Sequence, residues 1–170
     1  MAVVMGADVV ILDKSLDRLR WLESRYFGRA RCLHATTAVI EEYAARADLV
    51  IGAVLIPGGS APKVLSREVI SRMRPGSVVV DVAIDQGGCF ETSRPTGWDD
   101  PTYDVHGVTH FCVTNMPGAV PQTSSQAICA AILPWVNKIA AGGDWRGNQA
   151  LVRGINVKGG KLVHPALEGM

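Results

Sequence analysis

The chain has 170 residues, of which 48% are hydrophobic and 19% are charged, and its formal net charge is +1. These values are typical of one globular domain and exclude a disordered segment. The sequence contains no basic block, which argues against a nucleic-acid or anionic membrane surface as partner. Its longest apolar runs are too short to span a bilayer. We therefore expect a cytoplasmic protein with no membrane partner.

The cysteines indicate neither a metal site nor a redox motif. Cys32, Cys89, Cys112 and Cys129 are scattered along the chain and never form Cys-x-x-Cys. Zinc sites and thioredoxin-like sites need that clustering. We expect reduced, mostly buried thiols and no bound metal.

Strand and helix patterns alternate through the first two thirds of the chain. Strands are predicted at residues 9–13, 30–35, 49–55, 77–82 and 105–113. Helices are predicted after Ser15, from Thr37, after Ser66, and from Thr123 or Ser124 to Gly142, with a short strand pair around Gly159. This order predicts a doubly wound, mainly parallel sheet.

The stretch from Ser77 to Arg94 carries the clearest sign of a site. A β-branched run ends near Val82, and Asp85 follows on a turn that contains Gly87 and Gly88. A carboxylate just beyond a buried strand, on a glycine-rich turn, is where open α/β sheets bind ligands. The residues alone equally allow a turn with a solvated aspartate.

Asp13 has a second specific interpretation. An acid that ends the second strand of a dinucleotide-binding fold accepts hydrogen bonds from the adenosine ribose and disfavours a 2′-phosphate, which selects NAD. Such an acid lies about 20 residues after a G-x-G-x-x-G turn. Only 12 residues precede Asp13, and no two glycines in the chain have G-x-G spacing. We expect the first strand and its phosphate-binding turn to be missing; the alternative is that Asp13 only caps the helix after Ser15.

Two other polar features leave alternatives open. His106 and His110 have H-x-x-x-H spacing, but on a strand four residues span about 13 Å, too far for one metal ion. Asn115 follows a strand and precedes Pro117-Gly118. Its amide either faces a ligand or only holds the turn.

Three longer segments together resemble a known family. They are ADLVIGAVLIPGGSAPKV (residues 47–64), DVAIDQGGCFETSRPT (81–96) and PTYDVHGVTHFCVTNMPGAVPQTSS (101–125). All three closely resemble alanine dehydrogenase, and the related proton-translocating NAD(P) transhydrogenase shares much of the pattern. The similarity runs from about Met5 to about Val163. It implies oxidative deamination of L-alanine to pyruvate and ammonia with hydride transfer to NAD, the reverse reaction, and assembly as a homo-oligomer.

The resemblance also implies roles for individual residues. Asp85 matches the catalytic aspartate, and Asp13 matches the ribose-binding acid. The remaining cofactor contacts that it implies are Arg18, Val54, Leu55, Val82, Ala83, Ile84, Arg94, Val113, Thr114, Asn115 and Met116. Of these, residues 82–85 and 113–116 match the nicotinamide side, whereas Val54 and Leu55 match the adenine and ribose side.

The departures from the family pattern define the expected architecture. The substrate domain with its catalytic histidine and the glycine turn have no counterpart, and Thr114, Gln122 and Ala35 replace a usual Ala, Arg and hydroxyl residue. We expect an α/β fold with an incomplete, Rossmann-like, doubly wound parallel sheet. Residues 1–124 would form a partial NAD-binding domain, and residues 125–170 a connecting helix and substrate-domain remnant.

The resulting prediction is the NAD-binding part of an L-alanine dehydrogenase, inactive as an isolated chain. L-alanine or pyruvate would bind only together with the missing N-terminal part. One alternative is a non-catalytic remnant that acts at most as a weak nucleotide-binding or oligomerisation module. Another is the soluble part of an NAD(P) transhydrogenase.

Overall fold

The computed structural model describes residues 1–142 and 145–167. The chain divides into two compact units. The first comprises residues 1–55 and 61–114, and the second comprises residues 56–60 and 115–170.

The first unit begins with a parallel pair of strands, β1 (Val9–Asp13) and β2 (Ala30–His34). Helix α1 (Leu16–Tyr26) connects them. It begins where predicted, because the Ser15 hydroxyl accepts a hydrogen bond from the Arg18 amide at 3.2 Å. Helix α2 (Thr37–Arg46) follows β2 and is capped in the same way by Thr36.

A four-stranded sheet forms the rest of this unit. Its strands are β3 (Leu49–Gly52), β4 (Val78–Asp81), β5 (Thr102–Val105) and β6 (Val108–Phe111), in the order β3-β4-β6-β5. β3, β4 and β6 are parallel, and β5 is antiparallel to β6. Helix α3 (Arg67–Ser71), capped by Ser66, precedes β4.

The main core cluster lies on this sheet. Its fully buried members come from β4, β6, α3 and the segments beside them, and they include Leu65, Val69, Ile70, Val79, Cys89, Phe90 and Val108. The apolar face of α3 therefore packs on the β-branched strands, which fixes the loops that follow those strands.

The strand predicted at residues 105–113 is confirmed at Val108–Phe111, but it does not extend unbroken from residue 105. The chain forms a hairpin there, with β5 and β6 joined at His106 and Gly107, whose φ angles are +57° and +76°. Two consecutive left-handed residues are what a tight two-residue hairpin turn requires. The strand predicted at residues 49–55 also ends earlier, at Gly52, where the chain leaves the sheet.

The two sheets have the strand order of an interrupted doubly wound fold. Among the described residues β1 pairs only with β2, and β3 pairs only with β4, so each has an open edge. Leu49 and Ile51 on β3 are 53% and 60% exposed, which is unusual for an apolar strand next to a sheet centre. In the doubly wound order 3-2-1-4-5-6, β2-β1 corresponds to strands 3-2 and β3-β4-β6 to strands 4-5-6. The predicted α/β class with a missing first strand is confirmed.

The second unit contains the long helix α4 (Pro121–Ala140), the short helix α5 (Gln149–Arg153), and a hairpin of β7 (Val157–Lys158) and β8 (Lys161–Leu162). α4 begins before the predicted caps, and the Ser124 hydroxyl donates instead to the Pro117 carbonyl at 2.7 Å. The hairpin around Gly159 is confirmed. No helix in the described part of the chain is both long and apolar enough to cross a membrane.

Candidate functional site

A cavity of about 230 Å³ opens where β3 and β4 end. Six residues of the two following loops line it: Ala53, Val54, Leu55, Val82, Ala83 and Gln86. The strands are parallel and adjacent, so their carboxyl ends meet at one edge of the sheet, the usual ligand site of open α/β folds. The structure thus brings together four residues that the sequence interpretation proposed as cofactor contacts.

Asp85 lies on the loop that follows β4, next to this cavity wall. It is exposed in the first turn of a 3₁₀ helix that spans Ile84–Gln86, and Gly87 ends that turn with a φ angle of +90°. Ile84 is only 3% exposed, so its side chain belongs to the core and only its backbone can contact a ligand. Asp85 therefore presents an exposed side chain on a short 3₁₀ turn.

A buried thiol lies beneath this loop. The Cys89 Sγ is 3.3 Å from the Asp81 Oδ1. Burial, followed by the charge and hydrogen bond of Asp81, raises the pKa of the Cys89 thiol to about 12. Cys89 is therefore a neutral thiol near pH 7 and is unsuited to nucleophilic chemistry.

Asp13 and Arg18 lie at the end of β1 and in α1. The Asp13 Oδ1 accepts a hydrogen bond from the Ser15 amide at 2.7 Å, so this carboxylate does help to begin the helix. The Arg18 guanidinium lies 4.3 Å from the centre of the Trp21 ring. Asp13 uses its Oδ1 to cap the start of helix α1. Its other carboxylate oxygen could still accept a hydrogen bond from a ribose, so both interpretations of Asp13 stay open.

Arg94 lies in a cluster of polar and aromatic groups. Its backbone N–H donates to the Tyr103 hydroxyl at 2.8 Å, and its guanidinium lies 3.9 Å from the Tyr103 ring centre. The same ring stacks on His110 at 4.9 Å. The Arg94 side chain is exposed and is ordered by the aromatic face beneath it.

His110 is a structural residue. Its Nε2 is 2.7 Å from the Thr92 hydroxyl and its Nδ1 is 2.9 Å from the Val108 carbonyl oxygen. Burial lowers the pKa of the His110 imidazole. His106, by contrast, lies on the hairpin turn, and no group of metal-binding side chains occurs among residues 1–142 and 145–167.

The last four proposed contacts fall in both units. Val113 is fully buried and Thr114 is exposed, and the Thr114 amide donates to the Thr96 carbonyl at 3.1 Å. Asn115 is exposed with a φ angle of +49°, and Met116 begins a 3₁₀ helix that ends at Ala119. A left-handed Asn at this position is consistent with its role in the turn.

Sequence reasoning missed three residues around the Asp85 turn. Lys63 Nζ donates to the carbonyls of Gly87 and Gly88, and Asp81 is completely buried. The Gln86 Oε1 is buried and finds no donor in the described part of the chain. Only Asp81 had a sequence signal, because an acid between Val80 and Val82 interrupts a buried run.

Comparison with known proteins gives the family. Residues 1–165 match the family described as "Alanine dehydrogenase/PNT, C-terminal domain". The chain belongs to the alanine dehydrogenase/PNT family.

The relatives confirm this membership and show how much of the family is covered. Alanine dehydrogenase of Halomonas elongata is 52% identical over 171 residues, which cover 98% of this chain and 46% of that protein. Alanine dehydrogenase of Mycobacterium tuberculosis is 47% identical, over 94% of this chain and 44% of its own length. The chain thus spans under half the length of these relatives and corresponds to their C-terminal part.

Solved structures agree with the fold. An L-alanine dehydrogenase structure superposes with a TM-score of 0.82 at 49% identity, covering 98% of this chain and 46% of that one. A transhydrogenase from Sinorhizobium meliloti gives a TM-score of 0.73 at 28% identity, covering 96% of this chain and 44% of its own. The alanine dehydrogenase/PNT C-terminal fold is therefore the fold of this chain.

Proposed function

We propose that this chain is the NAD-binding part of an L-alanine dehydrogenase and that it acts on alanine or pyruvate only together with the polypeptide that its relatives carry in addition. The observation that supports this most is the cavity between β3 and β4. It unites Val54, Leu55, Val82 and Ala83 beside the turn that carries Asp85. We also propose residues 1–124 as the nucleotide-binding part and residues 125–170 as its connection to the substrate domain.

The residues present suit the nucleoside portions of NAD. A cavity of about 230 Å³ is smaller than the 300–1,000 Å³ of drug-sized sites, so it suits one sugar or ring rather than a whole dinucleotide. Asp13 would accept hydrogen bonds from the adenosine ribose, with Arg18 beside it. We also propose Arg94, Thr114, Asn115, Met116 and the backbone of the fully buried Val113 as further cofactor contacts.

Bound NAD would supply the hydride acceptor, and the chain would orient it and provide electrostatics. In this proposal the exposed Asp85 carboxylate accepts a proton during the reaction, which is a usual role for a positioned carboxylate. The backbone of Val82, Ala83 and Ile84 supports the cofactor next to it. No G-x-G-x-x-G turn is present in the sequence, so the pyrophosphate lacks its usual anchor.

The open edges of β1 and β3 suit a partner strand. In a complete doubly wound sheet one parallel strand lies between the two strands that correspond to β1 and β3. Such a strand would also cover Leu49 and Ile51, which are exposed here. We propose that this strand, with the phosphate-binding turn after it, comes from the additional polypeptide. The isolated chain would then bind NAD weakly and form no NADH from alanine.

Titration of the ¹⁵N-labelled chain with NAD, followed by NMR, tests the cavity. We expect weak binding, roughly millimolar, with shifts at the amides of Val54, Val82 and Ala83. Leu55→Glu would place a negative charge at the cavity and remove these shifts. Leu49→Glu is the matched control, because Leu49 is also exposed but lies at the other end of β3. Absence of shifts in the wild-type chain, or equal effects of both variants, would contradict the proposal.

A second candidate function is a non-catalytic module that associates through its apolar surface. The same open edges support it, because unpaired strand edges promote association. A module that only associates would show no NAD shifts. A module that also binds nucleotide weakly would show them but would form no NADH together with the polypeptide that the relatives carry in addition. A role in hydride transfer between nucleotides is less favoured, because the transhydrogenase structure is 28% identical whereas the two alanine dehydrogenases named above are 52% and 47% identical.

A further inference from the structure

Asp81 is a carboxylate with no access to solvent. It is the last residue of β4 and is 0% exposed. A buried carboxylate is costly unless hydrogen-bond donors surround it. The donors that surround Asp81 show what it holds in place.

Two of these donors are the amides at the ends of the turn that carries Asp85. The Ala83 N–H donates to the Asp81 Oδ1 at 3.0 Å, and the Cys89 N–H donates to the Asp81 Oδ2 at 2.8 Å. One side chain therefore fixes both ends of the segment from Ala83 to Cys89. We call this segment the Asp85 loop.

Two further donors complete the surroundings of the carboxylate. The Ser93 hydroxyl donates to the Asp81 Oδ2 at 2.5 Å, and the Cys89 thiol donates to the Asp81 Oδ1 at 3.3 Å. Hydrogen bonds to a charged acceptor are stronger than neutral ones. Removal of the carboxylate would leave these donors without their acceptor.

The Asp85 loop closes tightly over this carboxylate. A Cβ at Gly88 would lie 2.9 Å from the Asp81 Oδ2 and 2.9 Å from the Ser93 Cβ, and the Gly88 φ angle is +74°. The loop therefore needs glycine at this position in order to reach Asp81.

The outer side of the loop is held by the segment before α3. The Ala61 amide donates to the Gln86 carbonyl at 2.9 Å, and the Val64 amide donates to the Cys89 carbonyl at 2.7 Å. Lys63 Nζ donates to the Gly87 and Gly88 carbonyls at 2.7 and 2.8 Å. These contacts hold the loop from outside, whereas Asp81 holds it from within the core.

We propose that Asp81 is a positioning residue that holds the Asp85 loop in one conformation before any ligand binds. Its relevance to catalysis rests on the proposed function of Asp85. The loop is then preorganised, and NAD binding does not have to order it.

Amide hydrogen exchange of the ligand-free chain tests this proposal in Asp81→Asn. The Asn side chain keeps one acceptor oxygen and places its NH₂ group, a donor, opposite the other of the two loop amides. We expect exchange at the loop amide that faces the NH₂ group, Ala83 or Cys89, to accelerate about tenfold or more, because a lost charged hydrogen bond weakens local stability on that scale. The Thr96 amide donates to the Cys112 carbonyl elsewhere in the unit, and its exchange rate should increase much less than that of the loop amide.

Ser93→Ala is the matched control. It removes one donor from Asp81 but leaves both loop anchors, so it should lower the melting temperature without selective acceleration in the loop. Equal acceleration at Thr96 and in the loop of Asp81→Asn would show a merely structural role and would overturn the proposal. No acceleration at all would overturn it as well.

Two further measurements keep the test decisive. If Asp81→Asn does not fold, amide exchange in the wild-type chain tests the proposal instead. The Ala83 and Cys89 amides should exchange about tenfold more slowly than the Gly87 amide, which donates to a carbonyl within the turn. Similar rates would overturn the proposal. NAD titration of the same samples should show weaker binding in Asp81→Asn than in Ser93→Ala. A wild-type chain that binds no NAD contradicts the proposed function, while the exchange rates still decide the role of Asp81.

Discussion

Gly52→Ala is the substitution whose cost follows most directly from the packing. Gly52 ends β3 and is buried. A Cβ there would lie 2.3 Å from the Cys89 Sγ, 2.6 Å from the Phe90 Cζ and 2.9 Å from the Phe90 Cε1. Cys89 and Phe90 are both 0% exposed, so neither can move into solvent. One methyl group would therefore displace the core or the Asp85 loop.

Overpacking of this kind costs roughly 1–3 kcal/mol, and contacts this short favour the upper end of that range. In a chain of this size each kcal/mol lowers the melting temperature by about 2–4 °C, so we expect a loss of roughly 4–12 °C. Differential scanning calorimetry measures it.

Gly97→Ala is the control, because a Cβ at Gly97 meets nothing within 4 Å. It should leave the melting temperature nearly unchanged. If Gly52→Ala unfolds at the same temperature as Gly97→Ala, the packing described around Phe90 is wrong.

Three further predictions concern pH and a buried acceptor. The pKa of the Cys89 thiol is raised from 9.0 to about 12, so the thiol contributes stability below pH 9 that is lost as the pH rises toward 12. Urea unfolding at pH 9 and at pH 11 measures this loss. The free energy of unfolding should fall less between the two pH values in Cys89→Ala than in the wild-type chain. His110 has a lowered pKa, so its contribution is present above about pH 6.5 and is lost as the pH falls; acid unfolding should begin at lower pH in His110→Gln. Gln86→Met removes the buried Oε1, which finds no donor among the described residues, and should raise the free energy of unfolding by about 1 kcal/mol in the same urea assay. The first prediction is contradicted if the free energy of unfolding falls more steeply with alkaline pH in Cys89→Ala than in the wild-type chain. The second is contradicted if the midpoint of acid unfolding is the same in His110→Gln and the wild-type chain, and the third if Gln86→Met is less stable than the wild-type chain.

The sequence predicts most of the first unit because local signals and burial agree there. Ser15 and Ser66 begin helices as expected, and the β-branched run before Asp81 is a strand. The hairpin of β5 and β6 was missed because apolar residues lie directly on both sides of its turn, with Val105 before it and Val108 after it. Only the His106-Gly107 pair marks that turn, and its left-handed backbone depends on the pairing of the two strands.

The loops after β3 and β4 were predicted as a site, but the residues that shape them were not. Parallel strands place their carboxyl ends together, so buried runs followed by polar turns suffice to predict the edge of the sheet. Asp81 accepts from amides two and eight residues ahead, which requires the loop to fold back over the strand. Lys63 contacts Gly87 and Gly88 across 24 and 25 residues. No local pattern encodes such contacts.

Complementation tests the central claim most directly. The chain should be co-expressed with the part of the Halomonas elongata alanine dehydrogenase that it does not match, and alanine-dependent NADH formation should be followed by absorbance. We expect no activity from either polypeptide alone, steady NADH formation from the two together, and loss of that activity with Asp85→Asn in this chain. Steady turnover by this chain alone, or a folded complex of the two that binds NAD but forms no NADH, would contradict the account.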